Sequence, residues 1–347
     1  MKPDKLHINL PAEWAPQSGV QLTWPHEKTD WKNILNEVIP CFAAIASEIA
    51  KREKLLIICH DKEVVNLQLS TNINRDNVQL VEMETNDTWA RDHGGISVFV
   101  NNEPYIYDFC FNGWGMKFPA NLDNLITRNL YFQRNVFEGN VGYQNMLHCV
   151  LEGGSIESDG KGTILTTAEC LLSENRNEYK SQEEIEDYLK TIFGAERVLW
   201  LNNGYLAGDD TDSHIDTLAR FCTKDTIAYV QCTDNTDEHF EELKLMEDEL
   251  QAFRTLDGKP YNLIPLPMAD EVIDDEDRLP ATYANFLIVN EAVLYPTYNS
   301  AKDEIAKQQL QKAFPDHEIV GINCLSLIKQ HGSLHCVTMQ YPEGILK

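Results

Sequence analysis

The sequence predicts an α/β protein, a five-bladed pseudo-symmetric α/β propeller closed by pairing of its N- and C-terminal strands. Three observations predict it. A strand–turn–strand pattern recurs along the chain, a helical segment separates successive copies, and the last copy lacks its second strand. Repetition at a spacing of about 50 to 65 residues is the mark of a repeat architecture. A two-domain α/β sandwich would show the same alternation, so periodicity alone leaves both arrangements open.

The elements follow in order. GVQLTWP (19–25) is the strand free to complete the last copy, which would protect two open sheet edges at once. Helical periodicity covers Trp31–Arg52 and is followed by the apolar strand LLIIC at 55–59. GGISVFVNNEPYIYDFCF, from Gly94, pairs two β-rich runs across Asn101-Asn102, a hairpin signal. The stretch 121–133 supplies the next helix and MLHCVLE its strand. The second hairpin is GGSIESDGKGTILTTAECLL, from Gly153; helix Ser181–Phe193 and strand RVLWL (197–201) come next. DTLARFCTKDTIAYVQC, from Asp216, is the third hairpin, followed by helix Asp237–Phe253 and strand YNLIPL (261–266). The fourth is TYANFLIVNEAVLYPTYN, from Thr282, with helix Ala301–Phe314 and strand EIVGI (318–322). A fifth copy opens at Gly332 with GSLHCVTMQ and stops short. No linker interrupts the series, so residues 1–347 are expected to form a single catalytic domain. The acidic stretch Asp270–Asp277 is expected to be a mobile surface loop.

Composition excludes several classes. The 347 residues are 43% hydrophobic and 24% charged with 18 Gly and 14 Pro, a globular profile that excludes a disordered or fibrous chain. The formal net charge of −26 repels nucleic acid and anionic membranes and attracts cations. No apolar run reaches the roughly 20 residues of a membrane span, and MKPDKLHINLPAEW has no signal-like apolar core. The 9 cysteines are odd in number and never spaced C-x-x-C, unlike a disulfide framework or a zinc site. A reducing, cytoplasmic setting is expected.

The residues able to do chemistry cluster at hairpin starts. NDTWARDHGG holds Asp87, Trp89, Arg91 and Asp92; GDDTDSHIDTLARF holds Asp209, Asp210, Asp212, His214 and Asp216; HGSLHCVTMQ holds His331, His335 and Cys336. If residues 214–216 are extended, His214 and Asp216 face the same side, and a carboxylate beside a histidine fixes its tautomer. A cysteine on the same cavity is a candidate nucleophile. Each has a plainer reading. Cys336 in an apolar strand pattern can be a buried hydrophobe, the Asp run a solvated turn or a metal site, Trp89 core, and Arg91-Asp92 a surface pair. The recurrence of Asp92, His214, Asp216 and Cys336 at equivalent ends of different repeats outweighs those readings.

NDTWARD, EGGSIESDGKGTILTT, LLSENRN, GDDTDSHIDTLARF and LHCVTMQ, in this order, closely resemble the agmatine deiminase family of guanidine-modifying, pentein-type propellers. The resemblance runs from about Glu13 to Pro342. It implies a C–N hydrolase acting on linear amidines, with Cys336 as nucleophile, His214 as general acid/base, and Asp92 and Asp216 gripping a guanidinium. It implies that Trp89 lines the substrate pocket; Asp87, Asp210 and Asp212 are taken as partners of a distal ammonium, with Asp209 beside them. The implied substrate is a small cationic guanidine, agmatine, whose product feeds putrescine synthesis. No metal and no organic cofactor is implied, in a chain without a P-loop or G-x-G-x-x-G. The expected assembly is a homo-oligomer, with no nucleic-acid or membrane partner. Arginine, with Arg91, Arg176 or Arg220 meeting its carboxylate, and peptidyl-arginine stand as alternative substrates. A non-catalytic guanidinium-binding protein stands as the alternative class. Two departures are visible: relatives often read Gly-Gly where this chain has His331-Gly332, and many carry His where it has Glu157.

Overall fold

The computed structural model describes residues 6–177 and 180–347. Residues 1–5, part of the stretch read above for a leader, and 178–179 lie outside the described residues. The chain is α/β. Its strands form five sheets of three or four strands and one of two. Each larger sheet joins an antiparallel pair to a parallel strand. Ala219–Thr223 pairs antiparallel with Thr226–Gln231, which pairs parallel with Asn262–Pro267. Leu287–Val289, Ala292–Thr297 and Glu318–Asn323 repeat that order, as do Ile156–Ser158, Thr163–Thr167 and Arg197–Leu201. In the sheet of Ile96–Val100, Glu103–Cys110 and Gly142–Val150, the short strand Ile8–Asn9 adds to one edge. The last sheet joins the last strand to the second: Thr338–Pro342 pairs antiparallel with Gln17–Thr23, which runs parallel to Lys54–Cys59.

The connections obey local chemistry. Asn101 and Asn102 take φ of 51° and 68°, the left-handed region in which asparagine makes a two-residue hairpin. Helix Leu35–Ala50 buries Val38, Phe42, Ile45 and Ile49, an i, i+4, i+7, i+11 stripe against the core. Helix Gln182–Phe193 starts at a capping box, Ser181 with Glu184, and ends at Gly194 with φ of 67°.

Four readings of the sequence need correction. Residues 215–217 form a single 3-10 turn, and strand begins at Ala219, so His214 and Asp216 are not strand neighbours. Residues 334–337 form a turn, so Cys336 precedes its strand and is not within it. The acidic stretch Asp270–Asp277 includes a small hairpin, Ile273–Asp274 against Asp277–Arg278. Helix Lys62–Gln68 and strand Val78–Glu82 add a fourth strand that the repeat pattern does not predict. Among the described residues no helix is long and apolar enough to cross a membrane.

Candidate active site

Three chain segments meet at Gly154. A Cβ built there would lie 2.7 Å from His214 Nδ1, 2.9 Å from Asp92 Oδ1 and 3.1 Å from Asp216 Oδ2. Only a residue without a side chain fits among those groups. Asp92 sits on the short turn Ala90–His93 and is buried; its Oδ1 accepts from Gly154 N at 3.0 Å and its Oδ2 from Trp114 Nε1 at 3.0 Å. Burial, with Asp216 and Glu152 nearby, pushes its carboxyl well above the usual range.

The His214 segment is shaped by its loop. Asp212 and Ser213 have φ of 63° and 59°. Asp209 locks that loop, accepting from Thr211 Oγ1 at 2.6 Å and Ser213 N at 2.8 Å, an Asx arrangement. The fold thereby places buried His214 with Nδ1 3.7 Å from Asp92 Oδ1 and leaves Nε2 without a partner. Burial drives its pKa down to about 3, so the imidazole is neutral at neutral pH. Asp216 Oδ2 meets His335 Nδ1 at 2.8 Å, while Oδ1 has no partner. Burial works to raise the Asp216 carboxyl, but His335, His214 and Arg220 hold it below its usual value.

Cys336 completes the group. Its Sγ is 3.8 Å from Asp216 Oδ2 and receives Asn285 Nδ2 at 3.2 Å. Asn285 Oδ1 also accepts from His335 N at 2.8 Å, so one side chain fixes the turn that presents the sulfur. Burial and the charges of Asp216 and Asp92 push the Cys336 thiol well up, so it is protonated at neutral pH.

Asp92 and Cys336 open into a cleft of about 160 Å³, walled by Trp89, Trp114, Phe118 and His331 and carrying Asp30, Asp87 and Asp210. No lysine or arginine is among its described lining residues. Asp87 accepts from the indole N–H of Trp31 at 2.8 Å and of Trp89 at 3.1 Å. Burial and Asp30 raise its carboxyl to about 7. Asp212 faces elsewhere: it pairs with Lys117 at 2.7 Å and Arg176 at 2.5 Å and is not on the cleft wall. Of the acids expected around a distal ammonium, the cleft gathers Asp87 and Asp210 but not Asp209 or Asp212; Trp89, expected at the substrate pocket, is on its wall.

The two departures differ in place. His331 lies on the cleft wall with φ of 65° and Nδ1 2.7 Å from Gly208 O; Gly332 packs so close to Trp89 that a Cβ would overlap the ring. Glu157 lies behind the site, paired with Arg220. Sequence reasoning missed Trp114, Asn285, Asp30 and Glu152. Only Glu152 carried a signal, as the acid ahead of Gly153-Gly154. Ligand atoms of Glu152, Cys170 and His214 lie within 4.8 Å of one another, the donor types of a metal site. Both Glu152 oxygens already accept from Arg176 Nε, at 3.0 and 3.2 Å, so a cation stands beside the position a metal ion would take.

Comparison with known proteins decides the family, since residues 9–342 match the Porphyromonas-type peptidyl-arginine deiminases. The chain belongs to this family of enzymes. A Porphyromonas gingivalis crystal structure, provisionally named an arginine deiminase, is 53% identical with a TM-score of 0.94, covering 98% of this chain and 100% of that one. The substrate-bound agmatine deiminase of C. jejuni, a cysteine-to-serine variant, is 37% identical with a TM-score of 0.92, covering 100% and 99%. A Marinomonas sp. (strain MWYL1) protein, provisionally named an agmatine deiminase, is 33% identical over 97% of this chain and 95% of its own. The α/β fold is thus shared with agmatine deiminases.

Proposed function

We propose that this chain hydrolyses agmatine to N-carbamoylputrescine and ammonia through a covalent amidino-cysteine. One observation carries the reading: Cys336 shares one cleft with Asp92, Asp87, Asp30 and Asp210, and no lysine or arginine is among its described lining residues. The five sheets, with the last strand joined to the second in one of them, support a single catalytic domain arranged as a closed five-bladed propeller around that cleft.

A guanidinium carbon is a poor electrophile because its charge is delocalised. Asp92 and the free Oδ1 of Asp216 would each accept N–H groups, fixing the plane beside Cys336. The bound cation offsets the two carboxylates that hold the thiol protonated, and favours the thiolate. As Sγ attacks the guanidinium carbon, the thiol proton passes to His214 and a C–S bond forms, leaving a tetrahedral adduct. His214 gives a proton to the departing nitrogen, the C–N bond breaks, and ammonia leaves. Water then adds to the amidino carbon, His214 accepts its proton, and C–S cleavage restores the thiol. The product would enter putrescine synthesis.

Agmatine fits better than arginine because Arg91, Arg176 and Arg220 are buried and paired with Glu13, Glu152 and Glu157 behind the cleft, leaving none of the three to meet an α-carboxylate. Ammonia release from agmatine, arginine and a blocked peptidyl-arginine, measured side by side with product masses, tests this. Strong preference for agmatine is expected. Preference for arginine or the peptide would overturn the distal-pocket reading, and no turnover on any would overturn the reaction.

A further inference from the structure

We propose that His335, which does not line the cleft, is a positioning residue that holds Asp216 in its guanidinium-binding orientation. This rests on Asp216 being a guanidinium ligand, as above. His335 is the neighbour of Cys336 and is buried. Its two ring nitrogens face different surroundings. Nδ1 has one partner, Asp216 Oδ2 at 2.8 Å, which is an acceptor. Nε2 faces a donor, Arg220 Nη2 at 3.0 Å, and the Glu13 oxygens at 2.9 and 3.1 Å. Burial, with Arg220 and Arg91, holds His335 below its ordinary value, so the ring carries one proton at neutral pH. Only Nδ1 lacks any donor facing it, so the proton belongs there, and the lone pair of Nε2 accepts from Arg220.

The result is an oriented carboxylate. Oδ2 is tied down by Nδ1–H, and Oδ1, buried and without a partner, is left for the substrate. The ring itself is held from behind. Arg220 is buried, bonded to Glu157, Glu13 and the carbonyls of Ala284 and Phe286, and stacked 4.6 Å over the Phe286 ring. Glu13 and Arg91 border a second cavity, of about 80 Å³, apart from the substrate cleft. The titratable and charged groups facing Asp216 are His335, His214, Arg220, Cys336 and, across Gly154, Asp92. Those facing His335 are Asp216, Glu13, Arg220 and Arg91. His335 thus couples a rigid ion network to one arm of the substrate clamp.

Two isosteres separate this role from plain support of the network. Asparagine can place an amide N–H where Nδ1 stands, and glutamine where Nε2 stands. His335→Gln is expected to lower kcat/KM for agmatine by roughly 10²-fold, the scale of a lost orienting partner. Its acid limb should move to higher pH, because a carboxylate without its donor protonates more readily. His335→Asn should restore both within about 5-fold, by keeping the donor to Oδ2. Equal profiles for wild type and His335→Gln, or a worse His335→Asn, overturn the proposal. Imidazole ¹⁵N spectra of the folded wild-type enzyme test it without any variant: a protonated Nδ1 is expected, and a bare Nδ1 overturns it. Wild type inert on agmatine, with Nδ1 protonated, would overturn the functional reading; wild type active with a bare Nδ1 would overturn this inference alone.

Discussion

The acids of the cleft and the acids behind it are the same residue types in opposite electrostatic settings. Behind the site, Glu13 meets Arg91 and Arg220, Glu152 meets Arg176, and Asp212 meets Arg176 and Lys117. Glu13 is held well below its usual range by Arg220 and Arg91 despite burial. In the cleft, Asp92 and Asp87 are as buried but meet only neutral donors, the indoles of Trp114, Trp31 and Trp89 and backbone N–H groups, and both are pushed up. The difference is whether the chain supplies the cation. Behind the site it does, and Glu13 and Asp212 are held low, although burial still raises Glu152 and Glu157 beside their arginines; in the cleft it does not, and a cationic ligand would supply it.

The largest expected effect breaks the chemistry without touching this contrast. Cys336→Ser should lose turnover by at least about 10³-fold, since a hydroxyl at that position is far harder to ionise than a thiol. Calorimetry should still find agmatine binding, because Asp92, Asp216 and the distal acids remain. Retained turnover would remove Cys336 from the mechanism, and lost binding would remove the cleft from recognition.

Next comes stability. Arg176→Gln leaves buried Glu152 without its cation and Asp212 with Lys117 alone, in a place where Arg176 is fully buried. Breaking such a buried group should cost about 3–5 kcal/mol of unfolding free energy in urea titration. Asp210→Asn, on the cleft wall, should stay within about 0.5 kcal/mol while raising KM for agmatine. Equal costs would mean that the two sets of acids are not electrically distinct.

Much of this was legible in the sequence, and the limits are physical. Strand–turn–strand signals found the hairpins because Asn101-Asn102 and Lys224-Asp225 are local chemistry that needs no tertiary context. Asp92, His214, Asp216 and Cys336 could be picked out because each sits in a motif. The meeting of Asp92, His214 and Asp216 at Gly154, with Cys336 beside Asp216, could not, since it depends on distant segments. Alternation failed at His214–Asp216, where Asp212 and Ser213 in the left-handed region and a 3-10 turn override strand geometry. Asp212 read like Asp210 along the chain; only its contacts with Arg176 and Lys117 show that it belongs to the other set. Asn285 and Trp114 carried no signal, because nothing in ANF or GWG announces a partner 51 or 22 residues away.

A smaller effect follows from Asp87, whose carboxyl is raised to about 7 by burial and Asp30. Its folded value exceeds its unfolded one, so its contribution favours the native state at low pH and is lost as pH rises through about 7. A bound ammonium reverses this, since it prefers ionised Asp87. The melting-temperature gain that agmatine gives the Cys336→Ser protein should therefore grow between pH 6 and 8. In the double variant with Asp87→Asn the growth should flatten. A gain that shrinks with pH would mean Asp87 does not meet the distal charge.

The smallest expected effect concerns the whole surface. With a net charge of −26, the protein attracts a dication from beyond contact range, and that long-range part is screened within about 10 Å at 0.1 M salt. KM for agmatine should rise about 3-fold between 20 and 200 mM salt while kcat stays level, because contacts inside the cleft are shielded from ions. Butylguanidine, which keeps the guanidinium and drops the ammonium, should show a shallower slope. Equal slopes would place the distal charge outside the field of Asp30, Asp87 and Asp210, and so break the contrast at the cleft's outer end. Unequal slopes with the steeper one for agmatine would sharpen it, since only the second charge differs between the two ligands.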